Sequence, residues 1–443
     1  MSKNICVVGT GYVGLIAAVG LSDFGNTVVG VDINEEKVRR LNKGKSPIYE
    51  PGVEEYLHRN LQSGRLRFSS NAAEGIRSSE VILIAVGTPM DTDGTADLSF
   101  VYQVADTVAD NLNEFTVVVT KSTVPVGTNA AIRDRIAERS GKDPERDFAV
   151  VSNPEFLREG RAVQDFFHPD RTVIGYENEK AKEVLVDVYR ALNLISVPFV
   201  WCNLETAELI KYASNAFLAT KIAFINQMAN LAETVGADIH KIAKTMGMDG
   251  RISPKFLHPG PGYGGSCFPK DTQALIKTGE QFGVDMSIIK TVVSSNSYQK
   301  ERMVTKLLQL MNLSDTDSQA FAGKRVALLG LAFKQETDDI RESPALLVAK
   351  KLSELGGEIN AYDPKAIENF KVEFPNVQYF SDCYSAVEGV DAVMLLTEWN
   401  EFRSLDLEKI ASTVRSKFIL DARNLLDITE AQKWGFTYQG VGR

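Results

Sequence analysis

A glycine-rich turn near the N-terminus constrains the fold of this chain more than any other feature. The turn comprises Gly9, Thr10, Gly11, Tyr12, Val13 and Gly14. It follows an apolar run at residues 5–8 and precedes an apolar helical stretch and a second apolar run, which ends at Asp32. In this strand–turn–helix–strand order, the glycines let a pyrophosphate approach the helix N-terminus, which is typical of a dinucleotide-binding fold. Because the charge of Asp32 suits ribose hydroxyls and repels a 2′-phosphate, the pattern predicts NAD rather than NADP.

Further apolar runs alternate with helical patterns through the N-terminal half. They predict strands at residues 81–86, 115–120, 148–151 and 171–174. Such alternation indicates a parallel, doubly wound sheet, whose ligands bind beyond the carboxyl ends of the strands. The polar residues that follow these strands, and are therefore expected near the nicotinamide, are Thr88, Thr123, Glu155 and Glu159. Turn capping is the alternative role for Thr123 and Glu155.

The middle of the chain is predicted to contain one unusually long helix, residues 204–235. This stretch has no proline or glycine, and its apolar residues surround much of the helix. It is expected to act as a spine between domains or as a dimer contact. Lys211 and Asn215 are spaced to share one face of the helix. A solvated side chain is the usual alternative for Lys211.

A second α/β unit is predicted after the polar stretch 312–324. Its strands are expected at residues 325–330, before Asp363, and at 392–396 and 418–420, with Ser343-Pro344 opening a helix. The glycine fingerprint is missing after Gly330, so this fold is expected to bind a different ligand. The basic residues suited to phosphate there are Lys334, Arg341 and Arg423, for which exposed surface charge is the alternative.

The predicted fold class is α/β, with two Rossmann-like doubly wound domains joined by a long central helix. The predicted division is 1–203 for the NAD domain, 204–311 for a central helical segment with a cysteine loop, and 312–443 for the second domain.

The cysteine loop is the second informative glycine-rich run. Four glycines at 260, 262, 264 and 265 precede Cys267, and Pro269 suits the first turn of a following helix. A thiol at a helix N-terminus beside Lys270 is expected to react as a thiolate. The alternative is an incidental cysteine in a tight turn.

Composition excludes several kinds of partner. The net charge of −9 and a pI near 5.3 argue against nucleic acid or an anionic membrane surface. The four cysteines and four histidines are scattered, so neither a disulfide framework nor a metal site is expected. No apolar run approaches membrane-spanning length, and we expect a reducing, cytoplasmic setting without membrane insertion.

Several sequence blocks in order resemble those of the nucleotide-sugar 6-dehydrogenases of the UDP-glucose/GDP-mannose dehydrogenase family. They are GTGYVG, VGTP, KSTVPVGT, SNPEFLREG, ETAELIKYASNAFLA, GPGYGGSCFPKD and LAFKQETDDIRESP. The resemblance extends from residue 5 to about residue 424. It implies NAD as cofactor, UDP-glucose as substrate, a C-terminal domain for the UDP-sugar, and a homodimer or higher homo-oligomer. It also implies oxidation of the sugar C6 alcohol to a carboxylate with two NAD.

The resemblance implies roles for individual residues. Cys267 is implied as the nucleophile, Lys211 and Asn215 as oxyanion stabilisers, Asp271 and Thr123 in proton and water handling, and Glu155 as a base or water activator. The implied cofactor contacts are Gly9, Gly11, Tyr12, Val13, Gly14, Asp32, Lys37, Thr88, Thr123, Glu159, Cys267, Lys270 and Arg341. The implied substrate contacts are Glu155, Phe156, Leu157, Lys211, Asn215, Arg251, Phe256, Leu257, Tyr263, Gly264, Phe333, Lys334 and Arg423. Arg251 is implied to reach the sugar of the neighbouring subunit.

Other functions stay open at this point. Within the family, GDP-mannose and UDP-N-acetylhexosamines are alternative substrates, although the sequence around Cys267 speaks against the latter. A 3-hydroxyacid dehydrogenase needs one hydride transfer and neither Cys267 nor a second nucleotide fold. A non-enzymatic NAD sensor would need only the glycine turn and Asp32.

Overall fold

The computed structural model describes residues 2–443, and these residues form two units. One unit consists of the residues up to Ser214 together with Lys277–Phe282, and the other of Asn215–Ile276 with Gly283–Arg443. Each unit contains one sheet with helices packed on it.

The sheet of the first unit has eight strands in the order β3-β2-β1-β4-β5-β6-β7-β8. The strands are β1 (Asn4–Val8), β2 (Thr27–Val31), β3 (Leu66–Ser69), β4 (Val81–Ile84), β5 (Thr116–Thr120), β6 (Phe148–Ser152), β7 (Thr172–Gly175) and β8 (Phe199–Cys202). The helices are α1 (Tyr12–Asp23), α2 (Glu35–Asn42), α3 (Val53–Gln62), α4 (Ala72–Arg77), α5 (Ser99–Ala109), α6 (Thr128–Ser140), α7 (Ala162–Phe167), α8 (Glu179–Val188) and α9 (Arg190–Leu194). Strand order reverses between β1 and β4, which is where a doubly wound sheet opens a ligand crevice.

One part of this sheet differs from the prediction. β7 pairs with β6 in the antiparallel direction, through Ser152 and Gly175, whereas β7 and β8 are parallel to each other. The predicted parallel sheet therefore contains one antiparallel pairing near this edge. Between β6 and β7 the chain forms only the short helix α7, and an antiparallel return needs no crossover helix.

Four helices follow in the middle of the chain. They are α10 (Leu204–Val235), α11 (Ile239–Met248), α12 (Phe268–Gln281) and α13 (Ser287–Leu310). The bounds of α10 confirm the predicted long helix, and the boundary between the two units falls within it. The division at residues 203/204 and 311/312 stays a prediction.

The sheet of the second unit has six strands, all paired in parallel, in the order β11-β10-β9-β12-β13-β14. The strands are β9 (Arg325–Leu329), β10 (Glu358–Tyr362), β11 (Gln378–Tyr379), β12 (Ala392–Leu395), β13 (Phe418–Asp421) and β14 (Thr437–Gln439). The helices are α14 (Pro344–Glu354), α15 (Ile367–Glu373), α16 (Cys383–Val387), α17 (Asn400–Arg403), α18 (Leu407–Thr413) and α19 (Ile428–Lys433). Ser343 caps α14 by accepting the N–H of Ala345, as predicted. The α/β class with two doubly wound sheets and a long central helix is confirmed.

The two sheets share an acidic residue directly after the second strand, Asp32 in one and Asp363 in the other. Asp363 is buried, and its carboxylate accepts the backbone N–H groups of Leu331 and Ala332 and the indole N–H of Trp399. It also accepts the backbone N–H groups that begin the next turn, at Lys365 and Ala366. This carboxylate therefore occupies the backbone N–H groups in the turn after β9.

No helix within residues 2–443 combines the length and the apolar character needed to span a bilayer.

Candidate active site

The predicted pyrophosphate turn has the backbone geometry that a dinucleotide needs. Gly9 has a φ of 95°, and a Cβ added at Gly14 would lie 1.8 Å from the carbonyl oxygen of Gly9, so both positions require glycine. At Gly11, the N-cap of α1, an added Cβ meets no atom within 4 Å. Among residues 2–443 no side chain caps this helix end. The turn therefore leaves open space and backbone N–H groups for a pyrophosphate.

Asp32 stands beside this turn. Its carboxylate accepts hydrogen bonds from the backbone N–H and the hydroxyl of Thr10, at 3.1 and 2.7 Å, and pairs with the Lys37 ammonium at 2.7 Å. Burial raises the pKa of Asp32, but the bonds from Lys37, Thr10 and the backbone of Asn34 outweigh it and hold the pKa below its usual value. The carboxylate is thus ionised at neutral pH, as the preference for NAD requires.

Sequence reasoning missed Glu50, which is buried under the same turn. Its carboxylate accepts the hydroxyl of Tyr12 and the backbone N–H groups of Gly160 and Ala162, the latter two at 2.7 Å. Burial raises the pKa of Glu50 against the opposing effect of these hydrogen bonds. Glu50 therefore ties the glycine turn to the loop that carries Glu159. Local sequence patterns could not predict this contact, because Glu50 is distant in sequence from both Tyr12 and Gly160.

Polar residues after neighbouring strands of the first sheet do meet, as the topology predicts. The Thr88 hydroxyl donates to the carbonyl oxygen of Thr123 at 3.0 Å, and the Ser122 hydroxyl donates to the carbonyl oxygen of Val86 at 2.7 Å. The segments after β4 and β5 are thereby held together at the carboxyl edge of the sheet.

Glu155 and Lys211 form a buried ion pair. Their nearest atoms are 3.0 Å apart, and their side chains are 6% and 4% exposed. Lys211 is therefore not a solvated lysine. The second carboxylate oxygen of Glu155 accepts the N–H of Leu157, so this residue also caps its own turn. The ring of Phe156 has the Lys211 ammonium 5.2 Å and the Arg171 guanidinium 3.7 Å from its centre. Burying two opposite charges requires such close pairing.

Lys121, at the end of β5, is a second buried lysine that sequence reasoning did not single out. Its ammonium donates to the Asn153 amide oxygen at 3.1 Å, and that oxygen also accepts the Tyr189 hydroxyl. Burial lowers the pKa of Lys121 to about 8, with Glu155 acting in the opposite direction.

In the second unit, Cys267 directly precedes α12 and is half-buried. Its carbonyl oxygen accepts the N–H of Asp271 at 2.8 Å, which confirms the predicted position at the helix start. The buried Asp271 carboxylate accepts the Asn215 amide at 2.6 Å and the Lys270 ammonium at 2.8 Å. Lys270 is thus partnered by Asp271, and the thiolate character of Cys267 stays a prediction.

The predicted contacts for a nucleotide sugar cluster on the second sheet. A Cβ added at Gly264 would lie 2.3 Å from the carbonyl oxygen of Glu342, and one added at Gly265 would lie 2.8 Å from the Phe333 ring. The Arg423 guanidinium donates to the carbonyl oxygens of Phe333 and Leu396, each at 2.8 Å. It also lies 3.2 Å from a carboxylate oxygen of Glu398. The structure therefore brings Gly264, Phe333 and Arg423 together.

Two further basic residues of this region have other contacts. The Lys334 ammonium lies 5.4 Å from the centre of the Phe333 ring. The Arg341 guanidinium donates to both carboxylate oxygens of Asp339, with a shortest contact of 2.7 Å from Nη2. The backbone carbonyl oxygen of Arg341 accepts the N–H of Gly265. Their predicted ligand contacts stay predictions.

Four further predicted sugar contacts are Arg251, Phe256 and Leu257, which precede the cysteine loop, and Tyr263, which lies within it. Phe256 has a φ of 64°, a region that a bulky residue enters only when its surroundings hold it there. Its ring and that of Tyr263 both pack on Phe268, at 6.2 and 5.9 Å between centres. Leu257 is buried, whereas the Arg251 side chain is 90% exposed and pairs with Asp249.

The dinucleotide turn with its ionised Asp32 defines the class of the protein as one with an NAD-binding, doubly wound domain. Three models of the UDP-glucose/GDP-mannose dehydrogenase family match the chain in sequence. The NAD-binding domain model matches residues 3–193, the central domain model 205–298 and the UDP-binding domain model 327–428.

Individual relatives match over nearly the whole length. A UDP-glucose 6-dehydrogenase of Rhizobium meliloti (strain 1021) is 46% identical over 443 residues, which cover 99% of both chains. The structure of a UDP-glucose dehydrogenase from Pyrobaculum islandicum matches with a TM-score of 0.91 and 40% identity, covering 100% of this chain and 98% of that one. A UDP-D-ManNAc dehydrogenase from Pyrococcus horikoshii matches with a TM-score of 0.86 and 29% identity, covering 99% of each. The chain belongs to the UDP-glucose/GDP-mannose dehydrogenase family.

Proposed function

We propose that the protein oxidises the C6 alcohol of UDP-glucose to the carboxylate of UDP-glucuronate, using two NAD and a covalent intermediate on Cys267. The observation that carries the proposal is the cysteine loop. A half-buried thiol at the start of α12 lies in the same segment as a buried Asp271, which is paired with Asn215 and Lys270. A one-step dehydrogenase has no need of such a nucleophile.

The first oxidation removes a proton from the C6 hydroxyl and a hydride from C6, which leaves an aldehyde. NAD, when bound, accepts one hydride in each of the two oxidations. The proton needs a base and the developing oxyanion needs a positive partner. We assign the oxyanion to Lys211 and Asn215. We assign proton and water handling to Asp271 and Thr123.

The second oxidation requires a nucleophile, because an aldehyde has no hydroxyl from which to lose a proton. The Cys267 thiolate adds to the aldehyde carbon, and the resulting oxyanion takes up the proton released in the first oxidation to form a thiohemiacetal. Loss of that proton and of a second hydride converts the thiohemiacetal to a thioester. Water then adds to the thioester carbon. The bond between this carbon and the Cys267 sulfur breaks, which releases the thiolate and converts C6 of the sugar to a carboxylate. Glu155, whose carboxylate is buried beside Lys211, is assigned to activate that water.

The sequence identities of the relatives favour UDP-glucose over other nucleotide sugars as the substrate. The two relatives named for UDP-glucose are 46% and 40% identical to this chain, whereas the one named for UDP-D-ManNAc is 29% identical. The non-enzymatic alternative gives no reason for a buried Lys211–Glu155 pair or for Asp271.

The stoichiometry of the reaction tests the proposal. The purified protein with NAD and UDP-glucose should form two NADH for each UDP-glucuronate, measured by absorbance and by mass spectrometry of the sugar. GDP-mannose and UDP-N-acetylglucosamine serve as parallel substrates and should react more slowly. A ratio of one NADH, or free aldehyde in solution, would exclude the thioester route.

We further propose that the functional form is a homodimer or a higher homo-oligomer assembled through α10 and α13. Phe217, Phe224 and Leu231 recur every seven residues on α10 and are 65%, 43% and 55% exposed. An apolar groove of about 300 Å³ lies between α10 and α13, lined by Phe224, Ile288 and Val292 among others. Such spacing places apolar side chains on one face, as in helices that pack against a second copy.

Mixing two inactive variants tests whether Arg251 acts across this interface. Arg251→Ala and Cys267→Ala subunits should each be inactive, but after subunit exchange a mixed dimer has one complete site. Random mixing should restore roughly a quarter of wild-type activity, because half of the dimers are mixed. Exchange is verified with differently tagged subunits. If exchange occurs without recovery, Arg251 acts within its own chain or has no role.

A further inference from the structure

The cysteine loop is buried although it forms no helix or strand. Residues 259–265 are all buried and lie outside regular secondary structure. Buried backbone N–H and C=O groups must find hydrogen-bond partners, and a loop cannot supply them through a ladder. The partners of this loop therefore show what holds it in place.

Three amide side chains from two helices provide those partners. Asn226 on α10 accepts the N–H of Gly260 at 2.8 Å, and Gln299 on α13 donates to its carbonyl oxygen at 2.8 Å. Asn296 on α13 accepts the N–H of Tyr263 at 2.8 Å and donates to the carbonyl oxygen of the same residue at 3.0 Å. We call these three residues, Asn226, Asn296 and Gln299, the amide clamp.

The amide clamp is itself buried, and one of its members is held by a further hydrogen bond. Its members Asn226, Asn296 and Gln299 are 2%, 6% and 1% exposed. The amide oxygen of Gln299 accepts the amide N–H of Asn230 at 2.9 Å. A Cβ added at Gly262 would lie 2.9 Å from the Asn296 amide oxygen, so loop and clamp are in close contact. Only Asn and Gln offer both a donor and an acceptor in the manner of a peptide group.

We infer that Asn296, supported by Gln299 and Asn226, is a positioning residue for Cys267 in the reaction proposed above. It bonds both backbone groups of Tyr263, four residues before the thiol, while the helical bond from Asp271 to the Cys267 carbonyl holds the other side. The short segment that carries the thiol is thereby fixed at both ends. Small displacements of a reacting group reduce rates steeply, since reaction requires near-attack geometry.

The test compares Asn296→Leu with Gln299→Leu, each of which replaces the amide by an apolar group of similar size. Ser297→Ala, an exposed position on the same helix, is the matched control. We expect kcat with UDP-glucose to fall about 100-fold in Asn296→Leu. The affinity for NADH, measured by fluorescence without substrate, should stay within about twofold, because the dinucleotide turn and most of the other implied cofactor contacts belong to the other unit.

Hydrogen–deuterium exchange gives a readout that does not depend on turnover. Amides in the peptide spanning residues 260–266 should exchange at least about fivefold faster in both leucine variants, while peptides of the first sheet stay unchanged. Unchanged exchange in this loop would refute the clamp. Faster exchange with a wild-type kcat would refute its positioning role. A wild-type protein that fails to oxidise UDP-glucose refutes the proposed function but leaves the exchange result standing. If Asn296→Leu does not fold, as judged by thermal unfolding, Gln299→Leu decides by the same measurements.

Discussion

Replacement of Cys267 by serine is expected to reduce the formation of UDP-glucuronate by about three orders of magnitude or more. A serine hydroxyl is scarcely ionised at neutral pH, and an alkoxide leaves from an ester far more slowly than a thiolate leaves from a thioester. The glycines before residue 267 are unchanged, so binding of NAD and UDP-glucose should persist, measured by calorimetry. Any covalent adduct should be an ester, visible by mass spectrometry on the peptide from Gly264 to Lys270.

The matched control is Cys202→Ser. Cys202 is a partly exposed thiol at the end of β8 and is expected to be dispensable. If the Cys267→Ser protein turned over at a near wild-type rate, Cys267 would be an incidental cysteine in a tight turn.

Replacement of Lys211 by methionine should give the second largest effect. The apolar stem is kept, but the ammonium that pairs with Glu155 at 3.0 Å is lost. Loss of a preorganised positive group at a developing oxyanion lowers kcat by about 10²–10³-fold. Because a buried carboxylate then lacks its partner, the free energy of unfolding should also fall by about 3–5 kcal/mol. Steady-state kinetics and urea titration measure the two effects separately.

A second substitution separates catalysis from stability. In Lys211→Met combined with Glu155→Gln neither charge of this pair remains, so much of the lost stability should return while kcat stays low. Lys244→Met, an exposed position in α11, serves as the control. Recovery of activity together with stability would show that Lys211 matters only for folding.

Local patterns predicted those parts of the molecule whose cause is local. The glycine turn, the acid after β2 and the ends of α10 follow from backbone sterics and from the absence of proline and glycine, which neighbouring residues reveal. The helix start at Cys267 follows in the same way from Pro269. The direction of β7 does not, because parallel and antiparallel strands have similar apolar patterns.

Pairings between distant segments could not be predicted from the residues alone. The carboxylate of Glu155 meets Lys211 across 56 residues, and Glu50 meets Gly160 across 110. The sequence contains no signal that Asn296 bonds Tyr263. Such contacts depend on how whole elements pack, which single-sequence patterns do not encode.

The two carboxylates after the second strands of the two sheets differ in how much of their hydrogen-bonding capacity the fold itself occupies. A carboxylate has about four acceptor sites. Asp363 fills them with four backbone N–H groups and an indole, all fixed by the fold. Asp32 instead accepts some of its hydrogen bonds from the side chains of Thr10 and Lys37, which can rotate away when a ribose binds. Engineering a second dinucleotide site into the C-terminal sheet would therefore require freeing Asp363 from the backbone N–H groups that it accepts, and introducing glycines after β9 would not be sufficient.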